Sequence, residues 1–143
     1  MKPQIKVLFD CNTWISFSMG GRLKQLENLL PNPYLEIFSC KILLDEFEDV
    51  VKRPHLNKYL QAERVLLARK SLETVLLPFK MTSSLKPISR DPKDDYLLYF
   101  SDQYKIHYLV TGDKDLLVLE QYHNTRILTF SNFIKELEIL KVI

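Results

Sequence analysis

Ile5-Lys6-Val7-Leu8-Phe9-Asp10 is a short β-branched and aromatic run closed by a carboxylate. Such a run, apolar at almost every position and bounded by the polar Asp10-Cys11-Asn12, predicts a strand buried on both faces. The pattern returns at Tyr108-Leu109-Val110-Thr111-Gly112-Asp113. Between and after these stretches, strand and helix patterns alternate. Residues 13–17 predict a short helical turn, and Leu23, Leu26, Leu29 and Leu30 a helix stopped by Pro31-Asn32-Pro33. Strands are expected at 34–38, 74–79, 108–110 and 126–129. Ser39 is the expected cap of a helix reaching Lys52, and an amphipathic helix is expected over 61–73. Asp91-Pro92 predicts the start of a helix ending near Lys105, with Asp91 as its cap. Phe130, Phe133, Ile134, Leu137 and Leu140 share one face of a last helix. The expected architecture is α/β: a three-layer α/β/α sandwich around a central, mainly parallel sheet of about five strands, forming a single domain over 1–143.

Composition narrows the chemistry. The chain has 143 residues and is 46% hydrophobic, enough for one well-filled core. Three glycines argue against a glycine-rich nucleotide loop, and a net charge of +2 leaves any nucleic-acid surface to a local basic patch. The two cysteines, Cys11 and Cys40, form no C-x-x-C pair, and the three histidines stand apart from them, so a zinc site is poorly supported. No run long enough to span a membrane and no signal peptide is read, so a reduced cytoplasmic protein is expected.

The acidic residues carry the functional reading. Asp10 and Asp113 end strands at the edge where parallel sheets bind ligands. In the helix after Ser39, Glu48 and Asp49 stand four residues before Lys52 and Arg53, the spacing of ordinary solvated pairs. Glu46 shares its face with Leu43, Phe47 and Val50 and has no cation beside it. Asp94 and Asp95 open another helix, and the residues alone do not choose between them. Carboxylates converging from separate elements need a counter-charge, and oxygen-only donors suit Mg²⁺ or Mn²⁺. Asn12 adds a neutral oxygen beside Asp10. Thr111 is placed to bond a carboxylate or phosphate, and Asp115 to cap the next helix or touch a second ion.

Asp10-Cys11-Asn12-Thr13-Trp14-Ile15-Ser16, the Glu46 helix, Asp91-Pro92-Lys93-Asp94-Asp95 and Val110-Thr111-Gly112-Asp113-Lys114-Asp115-Leu116-Leu117 together resemble the PIN domain family. The similarity extends to its bacterial branch of toxin–antitoxin toxins related to VapC-like proteins. The resemblance implies the three-layer sandwich and a Mg²⁺- or Mn²⁺-dependent ribonuclease, with Asp10, Glu46, Asp95 and Asp113 as metal-holding catalytic carboxylates. Asp95 is taken over Asp94 because its distance to Asp113 matches the family pattern. Asn12, Ser16 and Thr111 match positions near the metal. Cys11 departs from a hydroxyl residue common there, and in an extended chain its side chain points away from Asp10.

The implied reaction is hydrolysis of an RNA phosphodiester by a metal-activated water. Lys52, Arg53, Lys86, Arg90 and Lys114 are the expected contacts to the RNA backbone. RNA, an antitoxin protein and a second copy of the chain are the expected partners. Two rival readings remain. One is a non-catalytic, Mg²⁺-binding scaffold for protein interaction. The other is a phosphatase using Asp10 as nucleophile, which Asn12 disfavours because that chemistry usually wants an aspartate two residues on.

Overall fold

A computed structural model describes residues 4–20, 23–82 and 84–143. Five strands form the sheet: β1 (Ile5–Phe9), β2 (Leu35–Ile37), β3 (Tyr108–Val110), β4 (Gln121–Tyr122) and β5 (Thr125–Leu128), in the order β2-β1-β3-β5-β4. β1 pairs in parallel with β2 and β3, and β3 with β5; Phe9 faces Val110, and Val110 faces Leu128. The carboxyl ends of the three central strands therefore finish level.

Among the described residues seven α-helices surround the sheet: α1 (Cys11–Met19), α2 (Lys24–Leu29), α3 (Lys41–Val51), α4 (Ala62–Thr74), α5 (Asp95–Gln103), α6 (Lys114–Leu117) and α7 (Phe130–Ile139). Successive strand residues point to opposite faces. Val7, Leu8, Phe9, Leu109 and Val110 are all fully buried, so both faces of the sheet are covered. This is the expected α/β sandwich. On one face Phe9 makes edge-to-face contacts with Trp14 of α1 and Phe133 of α7, with ring centroids 5.5 and 5.8 Å apart. That aromatic block fixes α1 and α7 against β1, so both helices start at the strand ends where Asp10 lies. No helix among the described residues is long and apolar enough to cross a membrane.

Several local expectations need correction. The helix after β1 is nine residues long rather than a turn. Residues 74–79 make no strand; Ser39 and Leu76 form one isolated parallel bridge, and Pro78 follows without a donor to extend it. Ser39 is consumed by that bridge, and Cys40 occupies the start of α3 without a side-chain cap. β4 was not foreseen. It is a two-residue antiparallel strand whose turn to β5 carries His123 in the left-handed region at φ 51°.

Glu48 also finds a different partner. It pairs with Arg69 of α4 at 2.6 Å, not with Lys52. Both side chains are about one-third exposed, and partly exposed pairs contribute little. A double-mutant cycle of Glu48→Gln and Arg69→Met in urea unfolding should give a coupling of about 1 kcal/mol or less.

Candidate active site

The end of β1 delivers Asp10 as the N-cap of α1. Its Oδ1 accepts from the Thr13 amide at 2.7 Å and the Thr13 hydroxyl at 2.5 Å. Its Oδ2 accepts from the Thr111 hydroxyl at 2.5 Å. Thr111 follows β3 directly, and its Oγ1 in turn accepts from the amide of Asp113 at 3.0 Å. Asp113 caps α6, accepting from the Asp115 amide at 2.9 Å. One run of hydrogen bonds thus joins two strand ends and brings Asp10 and Asp113 to one place. Asp10 is 4% exposed. Burial raises its pKa, the bonds from Thr111 and Thr13 oppose that, and the charge of Asp113 adds to the rise.

Glu46 and Asp94 complete the cluster. Leu43 and Phe47 seat α3 in the core, and Glu46 projects from the margin of that apolar face. Its Oε1 accepts from the hydroxyl of Tyr96 at 2.7 Å. Burial and the neighbouring Glu46 charge push the Tyr96 phenol upward. Asp94 ends a 3-10 turn formed by Pro92–Asp94. Its pKa is raised to about 7, first by burial, then by a hydrogen bond shared with Asp113, then by the charges of Glu46 and Asp113; Lys93 pulls the other way.

Asp95, expected beside Asp113, lies elsewhere in the network. Its two oxygens accept from the amides of Ile88 and Ser89 at 2.7 and 2.9 Å and from the Ser89 hydroxyl at 2.5 Å. It pins the irregular segment before α5, while Asp94 turns toward Asp113. Asp91, expected as a helix cap, makes no side-chain cap bond and instead meets Lys93 at 3.6 Å. Cys11 is the first helical residue of α1 and not part of an extended stretch. Burial and the charges of Glu46, Asp10 and Asp94 raise its thiol pKa, so it sits against the cluster and is no thiolate.

Asn12, Ser16 and Thr111 line a cleft of about 330 Å³ with Thr13, Gly112, Thr129, Leu23 and Phe130. Asp115 contributes its amide to Asp113, as above. Lys52, Arg53, Lys86, Arg90 and Lys114 are all exposed. The Arg53 charge reaches Cys11, which places this cation near the cluster, whereas Lys52 lines a separate hollow with Val51, Leu60 and Arg69.

Tyr96, Thr13 and Phe130 are site residues that the sequence does not mark as such, although Thr13 lies in the first motif and Phe130 on the face of the last helix. Thr13 carried a positional signal, since an aspartate that closes a strand before a helix is a preferred N-cap whose side chain accepts from the amide three positions on. Tyr96 and Phe130 carried none.

A family model described as a PIN domain matches residues 6–115. The chain belongs to the PIN domain family. PIN domains are generally nucleases that act on nucleic acids, typically with divalent metals. The matched span contains Asp10, Glu46, Asp94 and Asp113. The comparison with curated proteins finds no match.

The donor set of this PIN domain suits a hard divalent cation. All four groups are carboxylates, and the proton that Asp94 retains to about 7 occupies charge space that a cation would take over. Among the described residues no three acidic, thiol or imidazole side chains already stand at ion-binding distance. Asp10 and Asp113 direct oxygens to Thr13, Thr111 and Asp115. The match is therefore one of donor type and charge.

Proposed function

We propose that this PIN domain is a Mg²⁺- or Mn²⁺-dependent endoribonuclease and the toxin of a toxin–antitoxin pair acting in the cytoplasm. The observation that supports the reading is that Asp10 and Asp113 are tied together through Thr111 next to the ends of β1 and β3, with Asp94 near enough to feel the charges of Glu46 and Asp113. Asp10, Glu46, Asp94 and Asp113 would hold the cation. When bound, a divalent cation supplies Lewis-acid polarisation of the phosphate and a water of lowered pKa.

The chain's own groups do the rest. Thr13 and Thr111 fix the Asp10 carboxylate, Tyr96 orients Glu46, and Asp113 is held by its own helix start. Arg53, Arg90 and Lys114 are the candidate phosphate contacts at the rim, with Lys52 further out. Asn12 and Ser16 face the cleft in which the strand beside the scissile bond would lie. A phosphatase nucleophile at Asp10 fits poorly, because Asn12 stands where that chemistry usually wants a second aspartate.

The test is cleavage of single-stranded RNA with Mn²⁺ by the wild type beside Asp10→Asn and Asp113→Asn. Cleavage by the wild type alone, abolished by chelation, is expected. Equal cleavage by all three would show a contaminating nuclease and sink the assignment. The toxin role rests on the sequence's resemblance to VapC-like toxins. It predicts that expression arrests growth, that Asp113→Asn relieves the arrest, and that an antitoxin binds the chain or its homodimer over the acidic pocket.

A further inference from the structure

The cleft beside Asp10 does not end at its own walls. Leu23 and Phe130 line it on one side, and the same two residues line a second groove, of about 640 Å³, between the starts of α2 and α7. The two hollows are thus adjacent, with one apolar step between them. Their chemistry differs along the path. Next to Asp10 the walls are neutral and polar, made by Asn12, Ser16 and Thr111. At the step, the half-buried Phe130 and Leu23 offer an aromatic and an aliphatic face. Beyond it, Lys24 and Lys135 are exposed, and among the described residues neither has an ion-pair partner. Glu138 shares the second groove and leaves it with one net positive charge.

We propose that this path is the track of the single-stranded nucleic acid on one side of the scissile phosphate. It rests on the nuclease reading above and adds a direction to it. Neutral hydroxyl and amide groups suit a ribose, a flat aromatic face suits an unstacked base, and free lysines suit the next phosphate. Together those surfaces match the three groups of one nucleotide. It also explains why the path begins without cations: a lysine among Asn12, Ser16 and Thr111 would neutralise the carboxylates that a cation has to meet. Phe130 is then a specificity-determining residue, and the track runs across α2 and α7, away from Lys52.

The experiment measures binding without turnover. A fluorescein-labelled single-stranded RNA 12-mer is titrated with the full chain in EDTA and followed by anisotropy. Phe130→Ala should weaken binding about 10-fold, the range of one base on one aromatic ring. Phe130→Trp should keep the affinity and show emission quenched by the unlabelled oligonucleotide, which also guards against a folding defect in the alanine variant. Lys24→Gln and Lys135→Gln should each lower the slope of log Kd against log salt by about 0.7, and Lys58→Gln should leave it unchanged.

Unchanged affinity and slope in Phe130→Ala and both lysine variants, with a wild type that binds RNA and cleaves it with Mn²⁺, would overturn the track and leave the nuclease standing. Binding that depends on Phe130 without any Mn²⁺-dependent cleavage would support the track and overturn the nuclease. An unquenched Phe130→Trp variant that still binds RNA at wild-type strength would overturn the track directly.

Discussion

Asp94→Asn should lower kcat/KM on single-stranded RNA by more than about 100-fold, beyond the upper end for groups that only support a ligand. The loss should not come from unfolding, because the substitution removes a repelled charge. The Asp94 carboxyl is raised from its ordinary 3.8 to about 7 by burial, by Asp113 and by Glu46. A raised carboxyl binds its proton more tightly in the fold than in the unfolded chain. Its stabilising effect is complete below 3.8 and disappears as pH rises through about 7. Metal-free wild type should therefore melt at progressively lower temperature across that window. Asp94→Asn should flatten much of this slope, leaving the part due to Asp10, whose carboxyl is raised in the same sense. Saturating Mg²⁺ should flatten the wild-type slope as well, since a bound cation replaces the proton. Melting curves at several pH values, with and without Mg²⁺, check all three statements. A steep slope in Asp94→Asn equal to that of the wild type would refute the placement of Asp94 in the cluster.

Asp95→Ala should do the opposite: unfold the protein more than it disables the chemistry. Asp95 is 2% exposed and accepts three hydrogen bonds from Ile88 and Ser89. Its loss leaves the buried Ser89 amide and the part-buried Ile88 amide without acceptors, at a cost of about 2–5 kcal/mol. Urea unfolding should show that drop. Under conditions where the variant remains folded, its RNA cleavage should fall by about 10-fold at most, as for a residue acting through its neighbours. Together the two substitutions separate a group in the pocket from a group that shapes the chain leading to it. If Asp95→Ala were as inactive as Asp94→Asn while remaining as stable as the wild type, the division of labour between them would be reversed.

These neighbours show where the sequence stopped being readable. β1 and β3 were legible because a strand covered on both faces is apolar at almost every position, and Asp10 and Asp113 were legible because one closes such a strand and the other follows one by three positions. Glu46 was legible because helical periodicity placed it beside Leu43 and Phe47 with no cation within reach. The choice between Asp94 and Asp95 depended on helical phase. Residues Pro92–Asp94 form a 3-10 turn and α5 begins only at Asp95. In an α-helix one residue is about 100° of rotation, so a shift of one position exchanges the residue facing the pocket with the one facing away. Proline after Asp91 announced a helical start but not the kind of turn. The pairing of Glu48 with Arg69, 21 positions away, lay beyond any local rule, because only tertiary packing brings α3 and α4 together. β4 was too short for alternation to register.

Thr111 has a consequence for how the protein waits between tasks. Its hydroxyl ties the end of β1 to the end of β3, so the geometry at Asp10 is set by the polypeptide and not by whatever ion arrives. In the nuclease proposed above, the carboxylate that would meet an incoming ion is already held in position, so a chain treated with a chelator and then given back Mg²⁺ or Mn²⁺ should recover cleavage with no refolding step.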